Sequence, residues 1–254
     1  YPIVVETGKD DDVIVVEVYR VPYDVMAELD TVEGVDASKP TEVGSNYYFR
    51  KKLGASDIWM YYAPEEGSKE WYLKGSFDKA NRTSIYSDRG PGLDEGIDIM
   101  RTVKEYFPHI KIITDIHEPS QALPLPDVVD VIQIPAFLCR QTDLLVECAK
   151  NFNVINIKKG QWLSAESMKH AVKKIKEVDP NCEVWITERG SNFGYDRLIV
   201  DFRGVDIMKE FADKVILDCT HSTQMAGEGV TGGSRKLAKQ YALAAKIFEY
   251  DGVF

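Results

Sequence analysis

From Trp71 onward the chain alternates short, almost uninterrupted apolar runs with longer segments in which apolar residues recur at helical spacing. The runs fall at residues 71–77, 110–117, 128–135, 154–158, 183–187, 215–221 and 251–254. Val128-Val-Asp-Val-Ile-Gln-Ile is apolar nearly throughout, as a strand covered on both faces should be. Between the runs, Leu93, Ile97, Met100 and Val103 share one helical face, as do Met168, Ala171, Val172 and Ile175. Strand and helix in alternation predict a parallel sheet with crossover helices. Seven strand candidates fit an α/β fold of the (β/α)8 TIM-barrel type lacking one strand, and residues 13–18 are the candidate for the eighth. An open doubly wound sheet is the alternative. Neither G-x-G-x-x-G after a strand nor G-x-x-x-x-G-K-[ST] occurs, so the sequence fingerprints of dinucleotide and P-loop sites are absent.

This pattern divides the chain into an N-terminal segment, 1–70, whose first strand is unassigned, and a barrel domain, 71–254, that carries the active site. Within the first segment, residues 30–68 are rich in Gly, Ser, Glu and Asp, with aromatics at Trp59, Tyr61 and Tyr62. They read as an insertion or a loop. At 254 residues the chain suits one large α/β domain.

The formal net charge of -10 disfavours a nucleic-acid partner, which needs clustered Lys and Arg on one face. Any anionic substrate must therefore meet a local basic pocket. Cys139, Cys148, Cys182 and Cys219 are widely spaced without a C-x-x-C pair, which suits a reducing compartment and a cytoplasmic location. No apolar run approaches the roughly 20 residues that cross a bilayer, and the start, Tyr1-Pro-Ile-Val, lacks the regions of a signal peptide. No membrane association is expected.

Polar residues gather where the predicted strands end, the face that carries the active site in a barrel. Lys74-Gly-Ser-Phe-Asp-Lys79-Ala-Asn81-Arg82-Thr83-Ser84 follows the first of these strands. Asp115 and His117 end the next, followed in turn by Gln133, Lys158 with Lys159, Arg189, and His221. Each has an ordinary reading alone: a Lys-Lys pair is usually surface charge, Arg189 can pair with Glu188, and a lone His is more often structural. Together, in an acidic protein, they describe a basic pocket for two phosphorylated substrates. Asp115 and His117 are candidates for proton transfer.

The ordered series Lys74-Gly-Ser-Phe-Asp-Lys-Ala-Asn-Arg-Thr-Ser, Arg89-Gly-Pro-Gly-Leu, Thr114-Asp-Ile-His-Glu, Gln133-Ile-Pro-Ala-Phe-Leu-Cys-Arg-Gln-Thr-Asp143, Lys158-Lys-Gly-Gln, Thr187-Glu-Arg-Gly, Phe193-Gly-Tyr and Asp218-Cys-Thr-His221 resembles the motifs of the 3-deoxy-D-manno-octulosonate 8-phosphate synthase family. The resemblance runs from Lys74 to Phe254. It implies a transferase that condenses phosphoenolpyruvate with D-arabinose 5-phosphate in Kdo and lipopolysaccharide biosynthesis. The Lys-Ala-Asn-Arg segment separates it from the related heptulosonate phosphate synthases, which carry a Lys-Pro-Arg-Thr type of loop. A 3-deoxy-D-arabino-heptulosonate 7-phosphate synthase and a non-catalytic sugar-phosphate-binding relative are the alternatives.

By resemblance, Lys79, Lys158 and Arg189 grip phosphoenolpyruvate, with Lys74 lining the same pocket. Asn81, Arg82 and Thr83 bind the sugar phosphate; Thr83 stands where the family usually has Ser. Asp115, His117 and Gln133, with Lys79, face the reacting carbons. Arg140 lies in the loop that reaches a neighbouring subunit's site, which implies a homo-oligomer, typically a tetramer. Cys139, Gly160 and Thr187-Glu-Arg-Gly are similar to the metal-dependent branch, which makes His221 a ligand for a divalent ion (Zn, Fe or Mn). That ligand set is incomplete, because residues 1–70 hold no Gly-Pro-Cys segment and the chain stops at Asp251-Gly-Val-Phe254. The expectation is a chain that binds metal poorly and is ordered as a barrel without its last helix.

Overall fold

The computed structural model describes residues 13–17, 49–52, 59–62, 70–82, 84–192, 197–225 and 232–254. Its strands are β1 (Val13–Glu17), β2 (Phe49–Lys52), β3 (Trp59–Tyr62), β4 (Glu70–Lys74), β5 (Lys111–Asp115), β6 (Val131–Ile134), β7 (Val154–Lys158), β8 (Glu183–Glu188), β9 (Lys214–Leu217), β10 (Gln224–Met225), β11 (Gly232–Gly233) and β12 (Gly252–Val253). Eight of them close a barrel in the order β1, β12, β9, β8, β7, β6, β5, β4. Every neighbouring pair is parallel. Closure rules out the open doubly wound sheet. The first strand, left open by the motif series, is the apolar run at Val13, paired with Glu70–Lys74 on one side and Gly252–Val253 on the other. Within residues 30–68, β2 and β3 form an antiparallel hairpin that carries Trp59, Tyr61 and Tyr62.

Among the described residues five α-helices cross between barrel strands: α1 (Leu93–Tyr106), α2 (Thr142–Asn151), α3 (Lys169–Val178), α4 (Gly204–Lys209) and α5 (Arg235–Ile247). From β5 to β6 the chain crosses with a single 3-10 turn, Pro119–Ala122, so the βα alternation is irregular there. The helical stripes fall as their spacing predicts. Met100 and Val103 of α1, and Ala171, Val172 and Ile175 of α3, are buried, with Leu93 and Ile97 packed against the same core. That core is the layer between the helices and the outer faces of the strands, where Leu73, Ile112, Ile132, Ile155, Val184 and Leu217 point.

The inner faces form a second, smaller cluster of Tyr72, Ile113, Val131, Trp185, Ile216 and Phe254, with Val154 against it. Side chains two residues apart on a strand share a face. Moving two residues toward the C-terminal ends of β4 to β9 therefore stays inside the barrel, and it reaches Lys74, Asp115, Gln133, Asn156, Thr187 and Asp218, all buried. The lumen is thus apolar at its floor and polar at its roof. Tyr72 and Trp185 close the floor edge to face, with ring centroids 5.2 Å apart.

Candidate active site

Above that roof lies a cavity of about 420 Å³ lined by Lys74, Lys79, Ala80, Asn81, Asp115, His117, Glu118, Gln133, Pro135, Ala136, Phe137, Leu138, Lys158, Arg189 and His221. It sits at the C-terminal ends of the strands, where barrel strands deliver side chains from several loops to one point. Four lysine and arginine cations meet two carboxylates on its walls.

One side is organised by Asp115. Its carboxylate lies 3.0 Å from Lys74 Nζ and accepts from Ser76 Oγ at 2.5 Å, while His117 Nε2 stands 3.5 Å away. Ser76 Oγ also receives bonds from Lys74 and, at 3.0 Å, from Lys79. One hydroxyl thus ties together two ammonium groups and one carboxylate. Burial pushes Asp115 up, but Lys74, His117, Lys79 and Ser76 outweigh it and hold the carboxyl well below the usual carboxylate range. The loop that brings Lys79 and Asn81 here is clamped at its base. Arg89 makes two bonds to Asp78, at 2.8 and 2.6 Å, and Lys79 N bonds Arg89 O at 2.7 Å. Gly90 sits at φ 108°, and a Cβ there would meet Phe77 O at 2.9 Å, so glycine is required for this closure.

The opposite side is organised by Asp218, which is fully buried. It accepts from Lys158 Nζ at 2.7 Å, from the His221 amide at 2.8 Å and from the Thr220 amide at 3.1 Å, and its Oδ2 meets His221 Nδ1 at 2.8 Å. Burial alone would raise this carboxyl; His221, Lys158 and Arg189 drive it far below the ordinary range. Lys158 Nζ also stands 3.7 Å from the centre of the Phe254 ring, the top of the apolar floor. Arg189 is half-buried beside this group. Burial lowers its guanidinium, against Asp218 and Glu188, which raise it.

The sequence matches the profile of the DAHP synthetase I family over residues 62–254. The 2-dehydro-3-deoxyphosphooctonate aldolase of Campylobacter jejuni is 51% identical over 202 residues, which cover 75% of this chain and 74% of the relative. The proteins of that name from Helicobacter hepaticus and Helicobacter pylori are 49% identical over 202 residues and 47% identical over 199. The overlaps take in 75% and 73% of this chain, and 74% and 71% of those proteins. The chain belongs to the DAHP synthetase I family.

Of the residues that resemblance to this family singles out, Lys74, Lys79, Asn81, Asp115, His117, Gln133, Lys158, Arg189 and His221 all line the one cavity. Arg82 and Arg140 are exposed and line none of it; Arg82 Nε bonds Asp88 O at 3.1 Å, and the Arg140 carbonyl accepts from Lys174. Thr83 and the Phe193-Gly-Tyr segment lie outside the described residues. The plain readings of two dipeptides fail. Lys158 and Lys159 are both buried, so neither is surface charge. Glu188 serves Lys159, at 3.5 Å, and the Gly190 amide, at 2.6 Å, which leaves Arg189 to the cavity. His221 lies past the end of β9, in a 3-10 turn, His221–Thr223.

Sequence reasoning assigned no role to Ser76, Phe137 or Asp218, although all three stand inside the family motifs. For Asp218 the available signal was a carboxylate two residues beyond the lumen-facing Ile216. For a divalent ion the described donors do not fit. His221 and Asp218 supply one imidazole and one carboxylate already bonded to each other, and among the described residues no three His, Cys, Asp or Glu converge. Cys219 belongs to the outer, helix-facing core. Among the described residues no helix is long and apolar enough to cross a membrane.

Proposed function

We propose that this chain condenses phosphoenolpyruvate with D-arabinose 5-phosphate to give 3-deoxy-D-manno-octulosonate 8-phosphate and phosphate. The observation that carries this reading is the convergence of Lys74, Lys79, Lys158 and Arg189 on one cavity of an acidic protein, above buried carboxylates that hold two of those cations in place. The names of the relatives support the octulosonate product.

In this reading Lys158, Arg189 and Lys79 hold the phosphate and carboxylate of phosphoenolpyruvate, with Lys74 beside them. Asn81, Arg82 and Thr83 take the sugar phosphate. The C3 carbon of phosphoenolpyruvate attacks the aldehyde carbon of the sugar, water adds at C2, and phosphate leaves with cleavage of the C2–O bond. Asp115, His117 and Gln133 face the reacting carbons. His117 Nε2, 3.5 Å from the ionised Asp115, is the group placed to move a proton there. Two anions must be held together, so fixed positive charge and orientation carry most of the rate.

The reaction belongs to the cytoplasm, in keeping with four free, buried thiols. Arg140, exposed and away from its own cavity, fits the view that each site is completed by a neighbour in a homotetramer. A divalent ion is held weakly by His221 and Asp218 alone. The test is phosphate release from phosphoenolpyruvate with arabinose 5-phosphate and with erythrose 4-phosphate, each with and without chelator. Turnover preferring arabinose 5-phosphate supports the assignment; preference for erythrose 4-phosphate makes the chain a heptulosonate phosphate synthase, and binding without turnover makes it a non-catalytic relative. Tightly held stoichiometric metal would overturn the view of the ion.

A further inference from the structure

Gln133 lines the cavity, and its side chain is tied to the protein through its oxygen. Oε1 accepts from Asn156 Nδ2 at 3.3 Å, and Asn156 Oδ1 accepts from the Thr187 hydroxyl at 2.7 Å. The three residues stand on β6, β7 and β8, with Gln133 and Asn156 paired in register, and are 3%, 1% and 0% exposed. Neither Asn156 nor Thr187 lines the cavity, whereas Gln133 does, and Asn156 takes up the oxygen of the Gln133 amide and not its nitrogen. Two uncharged polar side chains buried in a strand layer cost free energy unless bonded, and apolar residues would fill the same space without that cost. A carboxamide is nearly symmetric in shape, so only its neighbours decide which end faces where. A hydroxyl can donate its one proton or accept, and here the Thr187 hydroxyl donates. Given to Asn156 Oδ1, that proton turns the Asn156 NH2 toward Gln133 Oε1 and so leaves the Gln133 NH2 for the cavity.

We propose that Thr187 and Asn156 are positioning residues that fix the Gln133 amide with its donor end toward the bound anion. The inference rests on the reading that phosphoenolpyruvate occupies this cavity; with the relay reversed, a carbonyl oxygen would face the ligand's own oxygens.

The experiment measures phosphoenolpyruvate binding by calorimetry, with KM for both substrates and melting temperature, in wild type, Thr187→Val, Thr187→Ser, Gln133→Ala and the Gln133→Ala/Thr187→Val double variant. Thr187→Val should weaken phosphoenolpyruvate about tenfold, the scale of a lost hydrogen bond to a charged group, and leave the arabinose 5-phosphate KM near the wild-type value. Thr187→Ser should restore binding. In the Gln133→Ala background Thr187→Val should add little, because both act through one amide. Equal loss for both substrates, an effect that persists undiminished without Gln133, or unchanged phosphoenolpyruvate binding overturns the relay. Should Thr187→Val not fold, Asn156→Asp asks the same question: Asp only accepts, so it reverses Gln133, and its penalty must shrink in Gln133→Ala. A wild-type protein that does not bind phosphoenolpyruvate sinks the functional reading and the relay together, whereas binding unaffected by Thr187→Val sinks the relay alone.

Discussion

Two residues of travel along the same strands change the barrel lumen from Tyr72, Ile113, Val131, Trp185 and Ile216 to Lys74, Asp115, Gln133, Thr187 and Asp218. Both layers are buried, yet different forces hold them. The floor gains by removing apolar surface from water, roughly 25 cal/mol per Å². The roof pairs charges whose desolvation offsets much of their attraction. The floor makes the barrel, and the roof makes the site at some expense in stability. Trp185 and Thr187 on β8, one filling the floor and the other bonding in the roof, show how little sequence separates the two jobs.

The largest effects should come from removing the centre of either layer, and they should differ in kind. Trp185→Ala empties a fully buried indole site and should cost about 3–5 kcal/mol in denaturant unfolding, with phosphoenolpyruvate affinity of the folded fraction nearly unchanged. Asp218→Ala strands Lys158 and should cost about 3–5 kcal/mol as well, but with turnover lost too. Acid should do the same by degrees. Asp115 and Asp218 have folded pKa values held below the unfolded value of about 3.9, so the stability they add is fully present above that range. It is lost as pH falls through the range toward the folded values. Unfolding free energies measured from about pH 4 down to about pH 2 should therefore fall less steeply in Asp218→Ala than in wild type. Parallel curves would show that Asp218 adds nothing to the acid response.

Arg189→Ala sharpens the contrast because Arg189 lines the site and supports it only through its charge beside Asp218. Its guanidinium lines the cavity, half-buried, so the substitution should weaken phosphoenolpyruvate binding by about 1.5–3 kcal/mol with no loss of melting temperature. An unchanged KM and turnover would remove Arg189 from the anion site. Asn81→Ala should be milder and should harm use of arabinose 5-phosphate more than binding of phosphoenolpyruvate; equal losses would point to a folding defect.

The floor and the outer core were legible in the sequence because strands covered on both faces read as unbroken apolar runs, and residues 13–18 were visible as a strand for the same reason. Strand ends were less so. The runs at 110–117 and 215–221 extend past the observed ends of β5 and β9, because apolar residues such as Ile116 and Cys219 continue into buried turns. The charged roof residues were legible as a group, since Lys and Asp at strand ends are costly to bury without a purpose. Their partners were not. Nothing in Lys158-Lys159 or Glu188-Arg189 says that one member of each pair faces the cavity while Lys159 and Glu188 pair behind it. Asn156 and Thr187 look like tolerated polar residues within a strand, and only the register across β6, β7 and β8 joins them to Gln133.

The smallest predicted effect lies at the joint between the layers. The Phe254 ring belongs to the floor, with Trp185 and Ile216, and carries Lys158 Nζ 3.7 Å above its centre. Asp218 already neutralises that ammonium at 2.7 Å, so the ring supplies a second and weaker hold. Phe254→Leu keeps an apolar side chain of similar bulk on the floor, a kind of swap that usually costs less than about 1.5 kcal/mol. It removes the π face, worth about 0.5–2 kcal/mol at a site of this kind. We therefore expect a small drop in melting temperature and a loss of phosphoenolpyruvate affinity of a few-fold, with Phe254→Tyr close to wild type because its ring remains. If Phe254→Leu matched wild type in both measurements, the floor would be passive support. If it lost as much as Asp218→Ala, the ring and not the carboxylate would be what holds Lys158 in place.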